Sequence, residues 1–176
     1  MSVLPKSLTD SALAWMEADA LWSLRVANFY EQWEMHLDET TLPSGLVSLL
    51  HRSTVGCLVR TMFGSFTNAK LHLLEVTAHK LLPGQTIRIH NDYLEGEESH
   101  RLLIQLNRGW IDSQGGLLML FGSPYVDDVR RVIRPLHASA MAFAISPKSF
   151  HAVSTIQSGE RYTLVYSFKA SQQPPH

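Results

Sequence analysis

Ile89-His90-Asn91-Asp92-Tyr93, IHNDY in one-letter code, follows the turn Leu82-Pro83-Gly84-Gln85 and the short run Thr86-Ile87-Arg88-Ile89. The Pro-Gly step ends one extended segment, and β-branched residues open the next. On a strand, side chains at i and i+2 share a face. His90 and Asp92 therefore point the same way, and an imidazole and a carboxylate that converge can hold one metal ion. The pair alone decides little, because His-x-Asp triplets also occur as solvated strand ends. Its weight depends on the surrounding architecture and on a third ligand from elsewhere.

From residue 71 onward the hydrophobic period is two. Strand-like runs occupy 71–82, 86–92, 101–108, 116–122, 129–136, 141–146, 151–156 and 161–169. Between them stand Pro83-Gly84, Glu95-Gly96, Gln114-Gly115-Gly116, Ser123-Pro124, Pro147-Lys148 and Ser158-Gly159, which are turn formers. Before residue 71 the period is closer to 3.6. Thr9 or Asp10 is an N-cap candidate for a helix over 8–20, with Leu13, Met16, Ala20 and Leu21 at helical spacing. A second helix is predicted over 43–62, where Leu46, Leu49, Leu50, Val55, Leu58 and Met62 share a face. The segment between, WSLRVANFYEQWEMHL (22–37), fits either a strand pair or a helix, and its aromatic residues read as core. The pattern predicts one domain over 1–176: a helical support (1–70), a mainly β jelly-roll core of cupin-like type (71–169) and a disordered tail (170–176).

Composition bounds the function. The chain has 176 residues, 45% of them apolar and 18% charged, with a formal net charge of −1. That balance gives no electrostatic reason to expect nucleic acid or an anionic membrane as partner. Cys57 is the only cysteine, so no intrachain disulfide forms, and a reducing, cytoplasmic compartment is expected. Asp10, Glu17 and Asp19 interrupt the apolar residues where a secretory signal would need them. No run approaches the roughly 20 apolar residues of a membrane span.

An oxygen-activating iron site uses two histidines and one carboxylate on one face, so the IHNDY pair needs one more histidine. Of the nine in the chain, His36, His51, His72, His79, His100, His137 and His176 read as surface, structural or terminal residues. His151 opens the seventh strand in SPKSFHAV, and Arg161 follows ten residues later in GERYTLVYSF. Parity puts Arg161, Thr163, Val165 and Ser167 on one face of the last strand and Tyr162, Leu164, Tyr166 and Phe168 on the other. An inward arginine is costly unless it meets an anion. A structural Arg–Asp or Arg–Glu pair would satisfy it. The joint order, His-x-Asp, then His some sixty residues on, then Arg, points instead to a site.

In that order the chain resembles the iron(II)- and 2-oxoglutarate-dependent oxygenases, closest to the prolyl-4-hydroxylase-like branch. The matching stretches are HND (90–92), LNRGW (106–110), GGLLMLF (115–121), FHAV (150–153) and GERYTLVYSF (159–168), about half of the chain. The resemblance implies a double-stranded β-helix with His90, Asp92 and His151 as iron ligands. It implies 2-oxoglutarate and O2 as co-substrates, with ascorbate as a stimulant. It implies Arg161 as the partner of the distal carboxylate of 2-oxoglutarate, Thr163 beside it, and Leu103, Leu118 and Val153 as apolar walls. Prolyl hydroxylases of this branch carry Tyr where this chain has Gln105, whose amide can still donate to the co-substrate. The reaction implied is hydroxylation of an unactivated C–H bond coupled to release of succinate and CO2. The carboxylate of Asp92 argues against halogenation, which needs a small residue there.

The substrate is an amino acid, a peptidyl residue or a small natural product, and the residues do not choose. Arg88 shares parity with His90, and Arg101 with Leu103 and Gln105. Each either holds an anionic substrate group or is a solvated strand-end charge. Tyr93 and Trp110 are further candidate contacts. The acidic loop Glu95-Gly96-Glu97-Glu98 either attracts a cation or is a soluble turn. The competing reading is a cupin-like metal enzyme or binding protein without 2-oxoglutarate, for which Arg161 and Thr163 have no use.

Overall fold

A proline stands ahead of the first helix. Residues 3–171 are described by the structure, a computed structural model. Helix α1 runs from Lys6 to Ala18 behind Pro5, whose carbonyl accepts from the Leu8 and Thr9 amides. Thr9 and Asp10 are thus inside the helix rather than capping it. The fixed φ of Pro5 (−54°) suits the position before the first turn, where no amide is needed. Strands β1 (Ser23–Ala27) and β2 (Tyr30–His36) form an antiparallel hairpin, so the ambiguous segment is a strand pair. A 3-10 turn (Ser44–Leu49) leads into α2 (Arg52–Phe63), where one continuous helix was expected.

Eight strands then match the eight predicted runs. They are β3 (Leu71–Leu81), β4 (Ile87–His90), β5 (His100–Gln105), β6 (Leu118–Phe121), β7 (Val129–Ile133), β8 (Ala140–Ala144), β9 (His151–Val153) and β10 (Arg161–Ala170). With the hairpin they make a ten-stranded antiparallel sheet in the order β7-β6-β9-β4-β2-β3-β10-β5-β8, with β1 on β2. The sheet curls into two walls. The long strands β3, β10 and β5 make one, and the short strands β4, β9 and β6 make the other. Their junction is narrow: Tyr30 opposite Ile87 is the single β4–β2 register pair, reinforced by the Arg88 amide donating to Phe29 O. This is the mainly β, double-stranded β-helix architecture with N-terminal helices expected from the sequence.

Strand β10 shows how one alternation serves two purposes. Tyr162, Leu164, Tyr166 and Phe168 face outward into a core with Leu13, Met16, Leu49, Leu58 and Phe63, which come from the helices and the 3-10 turn. Arg161, Thr163, Val165 and Ser167 face inward to the cavity. Two residues of the expected tail are ordered: Ala170 closes β10 and the Ser171 amide donates to Lys70 O, and the rest of that expected tail, 172–176, lies outside the described residues. Among the described residues no helix is long and apolar enough to cross a membrane.

The turn into β6 needs glycine. Gly115 has φ +70°, and a Cβ there would stand 2.0 Å from Thr155 O. Gly115→Ala is therefore expected to cost roughly 1–3 kcal/mol in backbone strain alone, with the clash in addition. Urea denaturation of the variant checks this, and an unchanged midpoint would contradict it.

Candidate metal centre and co-substrate cavity

His90 ends β4 and His151 opens β9, and the two stand opposite each other in the ladder. Phe29 stacks on the His90 ring at 4.3 Å between centroids, and Phe143 meets the His151 ring edge-on at 5.2 Å. Asp92 lies beyond the strand with φ +53°, a left-handed conformation that aspartate tolerates better than most residues. Convergence of His90 and Asp92 thus comes from a turn rather than from the strand parity expected of the triplet. Asp92 Oδ2 is 3.2 Å from His90 Nε2 and 3.1 Å from His151 Nε2. Neighbouring ligands held about 2.1 Å from a divalent ion at right angles stand about 3 Å apart, so Asp92 Oδ2 stands from each imidazole nitrogen as an adjacent ligand does, and the three atoms lie within 4.8 Å of one another.

The far ring nitrogens fix the tautomers. His90 Nδ1–H donates to Arg88 O and His151 Nδ1–H to Ser149 O, each at 2.8 Å. With Nδ1 engaged by the backbone, Nε2 is the ring nitrogen that faces Asp92, and a backbone carbonyl behind Nδ1 is the arrangement found behind metal-bound histidine. Burial opposes the charge on Asp92. Hydrogen bonds from His151 and His90 and the positive charge of Arg101 outweigh it and hold the carboxyl well below the usual range.

Arg101, a substrate candidate by sequence, is committed instead to this centre. Its Nη1 donates to Asp92 Oδ2 at 2.5 Å, and its Nε and Nη2 grip both oxygens of Glu98 at 3.0 and 2.5 Å. Glu98, part of the acidic loop, is thus a fixed counter-charge. Arg101→Lys keeps the charge but loses the fork that holds both carboxylates. It is expected to weaken divalent-metal binding about 10–100-fold, the usual loss for an outer-shell partner. Calorimetric titration with Mn(II) reads this directly, and wild-type affinity would show that the fork does not orient Asp92.

The triad opens on a cavity of about 790 Å³ between the two walls. Arg161 lies in its lining, 4% exposed, with Leu103, Leu118, Val153 and Val165 around the same space. Burial lowers the Arg161 pKa to about 10, so the guanidinium stays charged at neutral pH. Its Nη1 donates to Thr163 Oγ1 at 2.9 Å, and Thr163 Oγ1 donates to Gln105 Oε1 at 2.9 Å. Gln105 thus stands behind Thr163 and reaches the arginine through it. No carboxylate among the described residues pairs with Arg161, and its buried Nε has no partner. A buried cation with an unfilled donor is the complement of an anionic group such as a carboxylate.

Three substrate candidates lie off the cavity. Trp110 is a core residue, 7% exposed, with its indole N–H on Gly115 O. Tyr93 is 39% exposed on the loop after Asp92 and is not a lining residue. Arg88 is turned outward by a bulge: Ile87 pairs with Val153 and His90 with His151, three steps along β4 against two along β9. The extra residue breaks the alternation, so Ile87, not Arg88, lines the cavity with His90. The sequence reading missed Phe29, Tyr30, Gln32, Glu34, His79 and Phe143, all of them lining residues. A period-two signal for three of them is present in Tyr30-x-Gln32-x-Glu34, which alternates with Glu31 and Trp33.

Comparison with known proteins agrees with this geometry. A similar fold occurs in a Pseudomonas putida prolyl-4-hydroxylase (TM-score 0.75, 19% identity, 97% of this chain and 91% of that one). It occurs also in a Trichoplax adhaerens prolyl hydroxylase complexed with a hypoxia inducible factor peptide fragment (TM-score 0.76, 16% identity, 95% and 80%). A third is the viral collagen prolyl hydroxylase of Paramecium Bursaria Chlorella virus-1 in its 2OG complex (TM-score 0.68, 13% identity, 97% and 93%). No curated protein sequence matches the chain. The family model of the 2OG-Fe(II) oxygenase superfamily, whose members use Fe(II), 2-oxoglutarate and O2, matches residues 75–169, more than half of the sequence, and the chain belongs to that superfamily.

Proposed function

We propose that the protein is a dioxygenase that hydroxylates an unactivated C–H bond of an amino acid, a peptidyl residue or a small natural product, with conversion of 2-oxoglutarate to succinate and CO2. The observation that carries this reading is Arg161, a buried guanidinium without a carboxylate partner, in the same cavity as three converging metal-ligand atoms. His90, Asp92 and His151 would hold Fe(II), which when bound supplies the oxygen chemistry. Arg161, supported by Thr163 and Gln105, would hold the distal carboxylate of the co-substrate. Leu103, Leu118, Val153 and Val165 exclude water along the path between, which strengthens the ionic contact at its end. Asp92 supplies a carboxylate ligand and so leaves no protein-vacated position for a halide.

A cupin-like protein that binds metal without 2-oxoglutarate would gain nothing from a buried, unpaired arginine. A peptidyl substrate enters this reading through the Trichoplax likeness, and a reducing, cytoplasmic setting through the exposed thiol of Cys57. The test is succinate formation by Fe(II)-loaded protein given 2-oxoglutarate and O2, first without any substrate. Slow, iron-dependent succinate release is expected. A metal-loaded protein that neither binds nor turns over 2-oxoglutarate would exclude the proposal.

A further inference from the structure

Beside the apolar wall near Arg161 the cavity has a second lobe of opposite character. It lies under the β1–β2 hairpin and is lined by Arg25, Gln32, Glu34, Thr77 and His79. The register explains the grouping: Arg25 stands opposite Gln32, Glu34 opposite His79, and His79 opposite Thr163. One polar row therefore crosses from the hairpin to the strand that carries Arg161.

The hydrogen bonds in this row have a fixed direction. The Gln32 amide nitrogen donates to Glu34 Oε1 at 2.6 Å, because an ionised carboxylate can only accept. The same nitrogen lies 3.3 Å from His79 Nδ1, which must then accept, so His79 Nε2–H donates to Thr77 Oγ1 at 3.2 Å. Burial holds His79 neutral, with its pKa lowered to about 4, and it offers Glu34 no positive charge at neutral pH. Glu34 is thus oriented from behind by a buried amide. Its other oxygen meets Arg25 at 3.4 Å, a side chain 65% exposed, and the Tyr30 hydroxyl also donates to this carboxylate. Gln32 is 3% exposed, and its Oε1 has no partner.

The lobe therefore has a surplus of acceptors: an ionised carboxylate whose four lone-pair sites are only partly used by Gln32, Tyr30 and an exposed arginine, and a buried carbonyl with no partner among the described residues. We propose that this lobe binds a positively charged nitrogen group of the substrate, an ammonium or a guanidinium, with Glu34 as its anchor. An anion would face Glu34, and an apolar group would leave both acceptors desolvated. A nitrogen cation brings several N–H donors and the matching charge. The lobe also adjoins the metal ligands. Tyr30 stands opposite Ile87 on the strand that ends at His90, and Phe29 next to it stacks on His90 itself. A substrate anchored at Glu34 would present the carbons near its nitrogen to the triad.

The inference rests on the proposed function, and one experiment separates the two. Mn(II)-loaded protein relaxes the protons of any molecule bound in its cavity. The probes are 2-oxoglutarate, butylammonium and the neutral isostere 1-butanol, each at millimolar concentration, with L-lysine and Nα-acetyl-lysine amide as further arms. Relaxation of 2-oxoglutarate and butylammonium, but not of butanol, is expected. The butylammonium effect should fall on the order of tenfold in Glu34→Gln, as a charge-assisted contact is lost. Relaxation of 2-oxoglutarate with none of butylammonium, or equal relaxation of butylammonium and butanol, overturns the cation lobe and leaves the oxygenase reading intact. Failure of 2-oxoglutarate itself to relax removes that reading and the inference with it. The contrast between charged and neutral probes uses unmutated protein, so it holds even if Glu34→Gln misfolds. Of the two lysine probes, preference for the free amino acid or for its capped form names the source of the cation.

Discussion

His151→Ala is expected to leave protein that no longer retains Fe(II) and forms no succinate at any concentration of 2-oxoglutarate. His151 is 5% exposed, with one ring nitrogen on Ser149 O and the other 3.1 Å from Asp92 Oδ2. Alanine would remove one of the three proposed ligands and leave the other two on a single turn. The loss of metal affinity should therefore exceed the roughly 100-fold that an outer-shell change can cause. Metal analysis after gel filtration and Mn(II) titration measure it, with circular dichroism to confirm that the variant is folded. Stoichiometric iron in folded His151→Ala protein would move the metal centre elsewhere.

Arg161→Met should do the reverse: keep the iron and lose the co-substrate. Without Arg161 the distal carboxylate would be buried unpaired, a loss of roughly 2–5 kcal/mol. The apparent requirement for 2-oxoglutarate should rise at least about thirtyfold, at about 1.4 kcal/mol per factor of ten. A second readout separates binding from mere disturbance. The guanidinium has no carboxylate partner among the described residues, so its removal takes an uncompensated charge out of the interior. Ligand-free Arg161→Met should melt no lower than the parent protein, while the stabilisation that 2-oxoglutarate gives the parent should vanish. A variant that loses iron yet binds 2-oxoglutarate normally would refute the role given to Arg161.

Much of this arrangement is legible in the sequence, and the failures have physical causes. The eight strands after residue 71 are readable because alternation and turn residues agree there. Strand β10 is the clearest: its inward and outward sets follow parity because it is an interior strand, with β3 and β5 on its two sides. The hairpin β1–β2 was ambiguous for two reasons. Strand β1 lies at an edge and is exposed almost throughout, so it shows no alternation. The connection Asn28-Phe29 also lacks the glycine that marks a tight hairpin. Arg88 was misplaced because a bulge is a tertiary fact that strand parity cannot foresee. Arg101 lines the cavity, but its charge is claimed by Glu98 and Asp92, a pairing that depends on how the loop between β4 and β5 folds back. Trp110 reads as a contact residue by its neighbourhood in the sequence and packs as core.

The narrow junction between the two walls has a mechanical consequence. One wall carries Arg161 and the other His90 and His151, and between β2 and β4 they share a single register pair. The ladder thus resists separation of the walls only weakly at that line, much as a book is held by its spine. A molecule that reaches from Arg161 to the triad is a cross-brace between the covers. Metal and co-substrate together should then stiffen the barrel by more than the sum of their separate effects, and amide exchange at Ile87 and Arg88 is where that coupling would register.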